Sequence, residues 1–131
     1  YNYGRFLRDA VNSVLSQDGV DVRILIIDDC STDDSEHVGR ELAAGDSRVE
    51  YRRHAINRGH IATYNEGIDW LKSDYCLMLS ADDALTPGAL ARAAAVMDAH
   101  PEVGLTHGAT IATADPEHVA HLVVATPHVT I

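Results

Sequence analysis

Two apolar runs in this chain each end in adjacent aspartates: LIIDD at residues 25–29 and LMLSADD at residues 77–83. Two neighbouring carboxylates repel each other, and neither is easily buried without a partner. Such runs therefore have to leave the interior where the aspartates begin. The first, VRILIIDD (22–29), is β-branched and lacks the strict alternation of a strand with one wet face, which predicts a strand covered on both sides.

Helical patterns lie between such runs. FLRDAVNSVL (6–15) puts Phe6, Leu7, Ala10, Val11, Val14 and Leu15 on one helix face. STDDSEHVGRELAA (31–44) opens with Ser31, Thr32 and Asp33 as candidate caps, with Asp34 and Glu36 in the first turn. RVEYRRH (48–54) reads as a short strand. GHIATYNEGIDWLK (59–72) reads as a helix with Ile61, Tyr64, Ile68 and Leu71 at helical spacing. DYCLMLSADD (74–83) reads as the next strand. TPGALARAAAVMDAH (86–100) reads as a helix with Thr86 at its cap and Pro87 at its first position. VGLTHGATIAT (103–113) reads as a further strand or hairpin. The alternation predicts a three-layer α/β/α sandwich with a mostly parallel sheet. Ligands of such sheets sit beyond the carboxyl ends of the strands, and parallel strands would bring Asp28-Asp29 and Asp82-Asp83 to the same rim. The chain opens on a helix where such folds open on a strand, and YNYG reads as the end of a strand and its turn. The expectation is one partial domain over residues 1–131.

Composition narrows the functions. The formal charge is −10 over 131 residues and Lys72 is the only lysine, so nucleic acid is not an expected partner. A phosphate ligand would need a metal, backbone N–H groups or a few arginines. There is no apolar run of 18 residues, so no membrane span is expected, nor a signal peptide from the opening YNYGRF. Cys30 and Cys76 have no CxxC spacing, which favours a reducing compartment.

For the acidic pairs two readings stand. Mg²⁺ and Mn²⁺ take oxygen ligands and are held by one or two carboxylates together with substrate phosphates. The same residues could serve as solvated helix caps. A phospho-acceptor receiver domain needs a lysine at a late strand end, whereas Lys72 falls in a helix. A dinucleotide-binding fold needs GxGxxG after its first strand, and the chain has none. A nucleotidyltransferase would show a Gly-rich loop with arginine, and none is evident.

Four segments, YNYGRFLRDAVNSVLSQ (1–17), VRILIIDDCSTDDS (22–35), NRGHIATYNEGI (57–68) and LMLSADDALTPGAL (77–90), resemble in order and spacing the nucleotide-sugar-binding half of family 2 glycosyltransferases. The resemblance runs from Tyr1 to about His107 and implies the Rossmann-like GT-A fold. It implies that Tyr1 packs on the nucleotide base and that Asp29 hydrogen-bonds it, with a lean to uracil. His60, at a helix start, would face the base or the diphosphate, as could Arg58. Asp82 would contact the ribose or the metal, and Asp83 would coordinate Mn²⁺ or Mg²⁺. Asp28, Asn57 and Gly59 would support turns, and Asn65 would tie helix to strand. Cys30 replaces the family's usual glycine, Thr63-Tyr64 its Ala-Arg, and Ser80 a frequent acid.

The implied activity is metal-assisted transfer, with inversion, from a nucleotide-diphosphate-sugar donor to a glycan or other hydroxyl acceptor. The alternative is an inactive nucleotide-binding module of the same fold. No general base is identifiable: Asp115 and Glu117 are the only acids after Glu102 and sit beside Pro116. His118 and His121 read as surface residues. A homodimer is compatible with the resemblance. The expected location is the cytoplasm, with the full-length protein peripheral at the inner face of the membrane.

Overall fold

A computed structural model describes residues 1–110 and 112. Its elements are α1 (Gly4–Leu15), β1 (Ile24–Asp28), α2 (Ser35–Gly45), β2 (Val49–Arg53), α3 (His60–Trp70) and α4 (Ala89–Ala99). β1 and β2 pair in parallel, with Ile24 opposite Val49, Ile26 opposite Tyr51 and Asp28 opposite Arg53.

This register decides what each side of the sheet carries, because successive strand residues face opposite ways. Ile26 and Val49 join Leu7 and Val11 of α1 and Leu42 of α2 in one buried cluster, flanked by Ile24 and Tyr51. Each such side chain contributes about 1.5–3 kcal/mol through burial. The opposite face meets α3: Ile27 Cδ1 lies 3.8 Å from where a Cβ on Gly67 would be. On that side Trp70 Nε1 donates to Glu50 at 3.1 Å, and Arg52 reaches Glu66 at 3.7 Å. Helices on both sides of a parallel sheet make the α/β/α layering expected from the sequence. Gly39 lets α2 approach β2, since a Cβ there would stand 2.4 Å from the Tyr51 ring.

The helix pattern in residues 6–15 holds, with Leu7, Ala10 and Val11 buried. Other segments depart from the sequence pattern. Residues 74–83 form no strand, and Leu77 and Met78 are half exposed. A strand is defined by its ladder partner, and among the described residues this run has none. The apolar stripe of α3 is exposed, with Ile61 67%, Tyr64 46% and Ile68 51% accessible. Periodicity places a stripe on a helix but does not supply a surface opposite it, and a sheet of two strands is narrow. Thr86 and Pro87 precede α4 in a turn closed by Ala89 N–H to Thr86 O at 3.2 Å, and Gly88 at φ 73 is the residue before the helix. The Thr86 carbonyl instead accepts from Gln17 Nε2 at 3.0 Å, and Gln17 Oε1 accepts from Leu90 N–H at 3.2 Å. Residues 103–110 show no strand or hairpin; the rest of that expectation, together with Asp115, Glu117, His118 and His121, lies outside the described residues. No described helix is long and apolar enough to cross a membrane.

Candidate functional site

The Asp28-Asp29 pair ends β1 by turning its two carboxylates to different partners. Asp28 is nearly sealed, with 2% of its side chain exposed. Its Oδ1 accepts from Ser31 N–H at 2.8 Å, closing the turn after the strand. Its Oδ2 accepts from the Tyr51 hydroxyl at 2.9 Å and from Arg53. Burial pushes the Asp28 carboxyl up, but hydrogen bonds from Ser31, Tyr51 and Arg53 outweigh it and hold the group below the usual carboxylate range. Burial, together with the same contact, pushes the Tyr51 phenol up to about 12. Asp28 is thereby committed to the fold.

Asp29 is aimed at the segment leading into α3. Oδ1 accepts from Arg58 N–H at 2.7 Å and lies 2.7 Å from His54 Nδ1, while Oδ2 accepts from Gly59 N–H at 2.8 Å. Burial raises this carboxyl too, and the N–H groups of Arg58 and Gly59 together with His54 bring it below the usual range. A carboxylate offers about four lone-pair sites; these contacts leave one on Oδ2. The chain can bend here because Gly59 adopts φ 82, a region that costs glycine no steric strain.

Two other sequence-predicted residues gather at this strand end. Asn2 N–H donates to Ser31 Oγ at 2.9 Å, and Asn2 Oδ1 accepts from Thr32 N–H at 2.8 Å, which brings exposed Tyr1 beside the turn after β1. Asn2 itself sits at φ 59, a conformation asparagine tolerates better than most residues. Asp33 adds a further tie, accepting from Gly4 N–H at 3.0 Å. His60 opens α3 directly after Gly59, is exposed, and stacks edge-on with Tyr64 at 6.1 Å. Cys30 takes φ 65, the left-handed conformation for which glycine is suited, and its thiol reaches Ala55 O at 3.7 Å.

Asp82 and Asp83 are placed differently. They are exposed on a turn closed by Asp83 N–H to Ser80 O at 3.0 Å. Leu85 N–H donates to Ser13 Oγ at 3.0 Å, and Gln17 holds Thr86, so this turn is tied to the C-terminal half of α1. Tyr1 and Asp29 belong to the other end of that helix. Without a strand at 74–83 the shared rim does not form, and among the described residues no cluster of three or more His, Cys, Asp or Glu could hold a metal. The pair does offer four carboxylate oxygens with no ion-pair partner among the described residues, a donor set suited to a hard divalent cation that keeps other oxygen ligands.

The sequence reading passed over His54, Glu66, Tyr51 and Arg53. The parallel register reveals Tyr51, Arg53 and His54: with Asp28 opposite Arg53, the next residue, His54, falls beside Asp29, and packing of α3 adds Glu66.

The chain matches the family model described as Glycosyl transferase family 2 over residues 1–122. It is 35% identical over 107 residues to an uncharacterised glycosyltransferase of a Nostoc species, covering 82% of this chain and 33% of the relative. It is 32% identical over 91 residues to the GalNAc(5)-diNAcBac-PP-undecaprenol beta-1,3-glucosyltransferase of Campylobacter jejuni, covering 69% and 29%. It is 34% identical over 98 residues to a putative colanic acid biosynthesis glycosyl transferase of Escherichia coli, covering 75% and 34%. The chain thus spans about a third of the length of these curated relatives. A strand–helix alternation with a hydrogen-bonded carboxylate at the end of β1 and this match over residues 1–122 lead to one conclusion: the chain belongs to glycosyl transferase family 2.

Proposed function

We propose that this chain forms the donor-binding part of a glycosyltransferase that moves a sugar, with inversion, from a uridine-diphosphate-sugar to a hydroxyl of a growing glycan. The observation that carries this reading is Asp29: His54 and the N–H groups of Arg58 and Gly59 fix it at the end of β1 with one Oδ2 lone pair left over, and exposed His60 follows Gly59 directly along the chain. One acceptor suits the N–H of a uracil-type base, Tyr1 offers a ring for it to stack on, and His60 is placed to meet base or diphosphate. The relatives' names favour a glycan product, since they include proteins for colanic acid and succinoglycan biosynthesis and a transferase acting on an undecaprenol-linked oligosaccharide. We further propose that the full-length protein lies in the cytoplasm, peripheral at the inner membrane face.

Asp82 and Asp83 would hold Mn²⁺ or Mg²⁺. The cation would supply positive charge against the negative charge that develops on a diphosphate leaving group. The residues of this chain would bind and orient the nucleotide. A second reading, a nucleotide-binding module without turnover, is favoured by the separation of the Asp82-Asp83 turn from Asp29.

The test is a thermal-shift titration with UDP, GDP, dTDP and CDP, each with and without Mn²⁺. A ligand at about 100 times its Kd stabilises by roughly 2.7 kcal/mol, several degrees for a domain of this size. A Mn²⁺-dependent shift with UDP supports the transferase reading. A metal-independent shift supports the binding module. No shift with any nucleotide refutes the donor site in this chain.

A further inference from the structure

In the donor reading His54 serves only to fix Asp29, yet it lies at the centre of the contacts that shape that carboxylate. It follows the last residue of β2, and its backbone N–H still reaches Asp28 O at 2.9 Å. The ring is enclosed, with 7% of the side chain exposed. Both ring nitrogens meet a carboxylate: Nδ1 lies 2.7 Å from Asp29 Oδ1, and Nε2 lies 2.9 Å from Glu66 Oε2. A neutral imidazole has a single N–H and would turn its lone pair on one of these anions. Only the imidazolium donates to both.

The neighbours favour that state. From the turn after β2, Arg58 and Gly59 donate backbone N–H groups to Asp29, which keeps it ionised. From α3, Glu66 is kept ionised by Arg58 Nη1 at 3.0 Å and by Arg52 of β2 at 3.7 Å. The opposing charge is Arg58, whose Nη1 stands 3.3 Å from His54 Nε2. Asp29 and then Glu66 outweigh burial and Arg58, and His54 titrates above the ordinary imidazole value.

We propose that His54 is a positioning residue: as imidazolium it ties the 57–59 turn and helix α3 to the end of β1, so that donor-site geometry around Asp29 and His60 is held at neutral pH and loosens when His54 loses its proton. The clamp is a matter of this chain's own contacts; its service to a nucleotide rests on the donor reading above. Deprotonation leaves one hydrogen bond to a carboxylate and turns the lone pair of the other ring nitrogen toward Glu66, where Arg58 Nη1 at 3.3 Å is the one donor in reach among the described residues. A group whose value is raised in the folded state contributes below that value, and the contribution is lost as pH rises through it.

The experiment is an NMR titration of the full chain from about pH 5.5 to 9.5, a window that brackets imidazole ionisation. It follows the His54 ring and the Arg58 and Gly59 amides, with UDP–Mn²⁺ affinity measured at the same pH values. The expected result is a His54 midpoint above the ordinary imidazole value, with both amides shifting at that same midpoint. Glu66→Gln should lower the midpoint while keeping the ring. UDP affinity should fall about tenfold, a typical coupling between linked sites, through the midpoint in the wild-type chain, and should be weak and flat with pH in His54→Gln. A His54 midpoint at or below the ordinary value, or amides that do not follow it, would overturn the clamp. Amides that follow His54 while UDP affinity stays constant would overturn its role at the donor site. Absence of UDP binding at every pH would instead overturn the donor reading, with the clamp judged by the amides alone.

Discussion

Replacing Asp28 by asparagine keeps the side chain's shape and removes its charge. Asp28 accepts from Ser31 N–H, the Tyr51 hydroxyl and Arg53, and one of its oxygens would become an NH₂ facing donors. Breaking a buried ion pair costs about 3–5 kcal/mol, but here one partner is not sealed. Arg53 is 26% exposed and retains Glu36 at 3.1 Å, so water and that contact recover part of the loss. A hydrogen bond to a charged group contributes about 1.5–3 kcal/mol, which sets the expected cost near 2–3 kcal/mol. At about 4 °C per kcal/mol for a domain of this size, Tm falls by roughly 8–12 °C. Urea unfolding followed by circular dichroism measures it as a lower midpoint at unchanged slope. Tyr51→Phe removes only one of the donors to the Asp28 carboxylate and should cost about 1.5 kcal/mol, the low end of the same range. Burial raises the Asp28 carboxyl, yet its hydrogen bonds bring it below the usual range. Its contribution is therefore present above that range and lost as pH falls through the lowered value. The wild-type chain should lose more stability on acidification than Asp28→Asn. If Asp28→Asn costs no more than Tyr51→Phe, or the two acid limbs are parallel, the account of this cluster is wrong.

Other consequences are open to direct measurement. Asp83→Asn should leave the urea midpoint within about 0.5 kcal/mol, because the residue is exposed and has no described ion-pair partner, while any Mn²⁺-dependent UDP shift disappears; a stability loss equal to that of Asp28→Asn would contradict its placement. Cys30→Gly should stabilise by about 0.5–1 kcal/mol, because Cys30 is held at φ 65; a drop in the urea midpoint would show that the thiol contact with Ala55 outweighs the strain. Gly39→Ala should destabilise by about 1 kcal/mol despite alanine's better helix propensity, since the new methyl would meet the Tyr51 ring at 2.4 Å; a gain in stability would mean the ring moves aside at little cost.

Local pattern in the sequence was enough for α1, β1, α2 and β2. Leu7, Ala10 and Val11 recur at helical spacing, and VRILIIDD has the β-branched run of a doubly covered strand. The order of four motifs was enough for the family, because each motif is a short stretch read along one chain. The replacement of the turn glycine was legible in the same way, and Cys30 takes the φ 65 for which glycine is suited.

What the sequence left open depends on partners distant along the chain. Leu77 and Met78 read as strand residues, but strand pairing needs a neighbour, and none is described for them. Ile61, Tyr64 and Ile68 lie on one helical stripe, yet the sheet meets α3 through Gly67, Glu66 and Trp70. The fates of the two aspartates after β1 diverge for a reason no local window contains. Parallel pairing with β2 sets Tyr51 and Arg53 on the side of Asp28 and brings His54 to Asp29. Residue type and spacing therefore determined which elements form and which carboxylates lie at a strand end. Only the register between β1 and β2, a contact between residues about 25 apart, decided that Asp28 holds the fold and Asp29 holds the approach to α3.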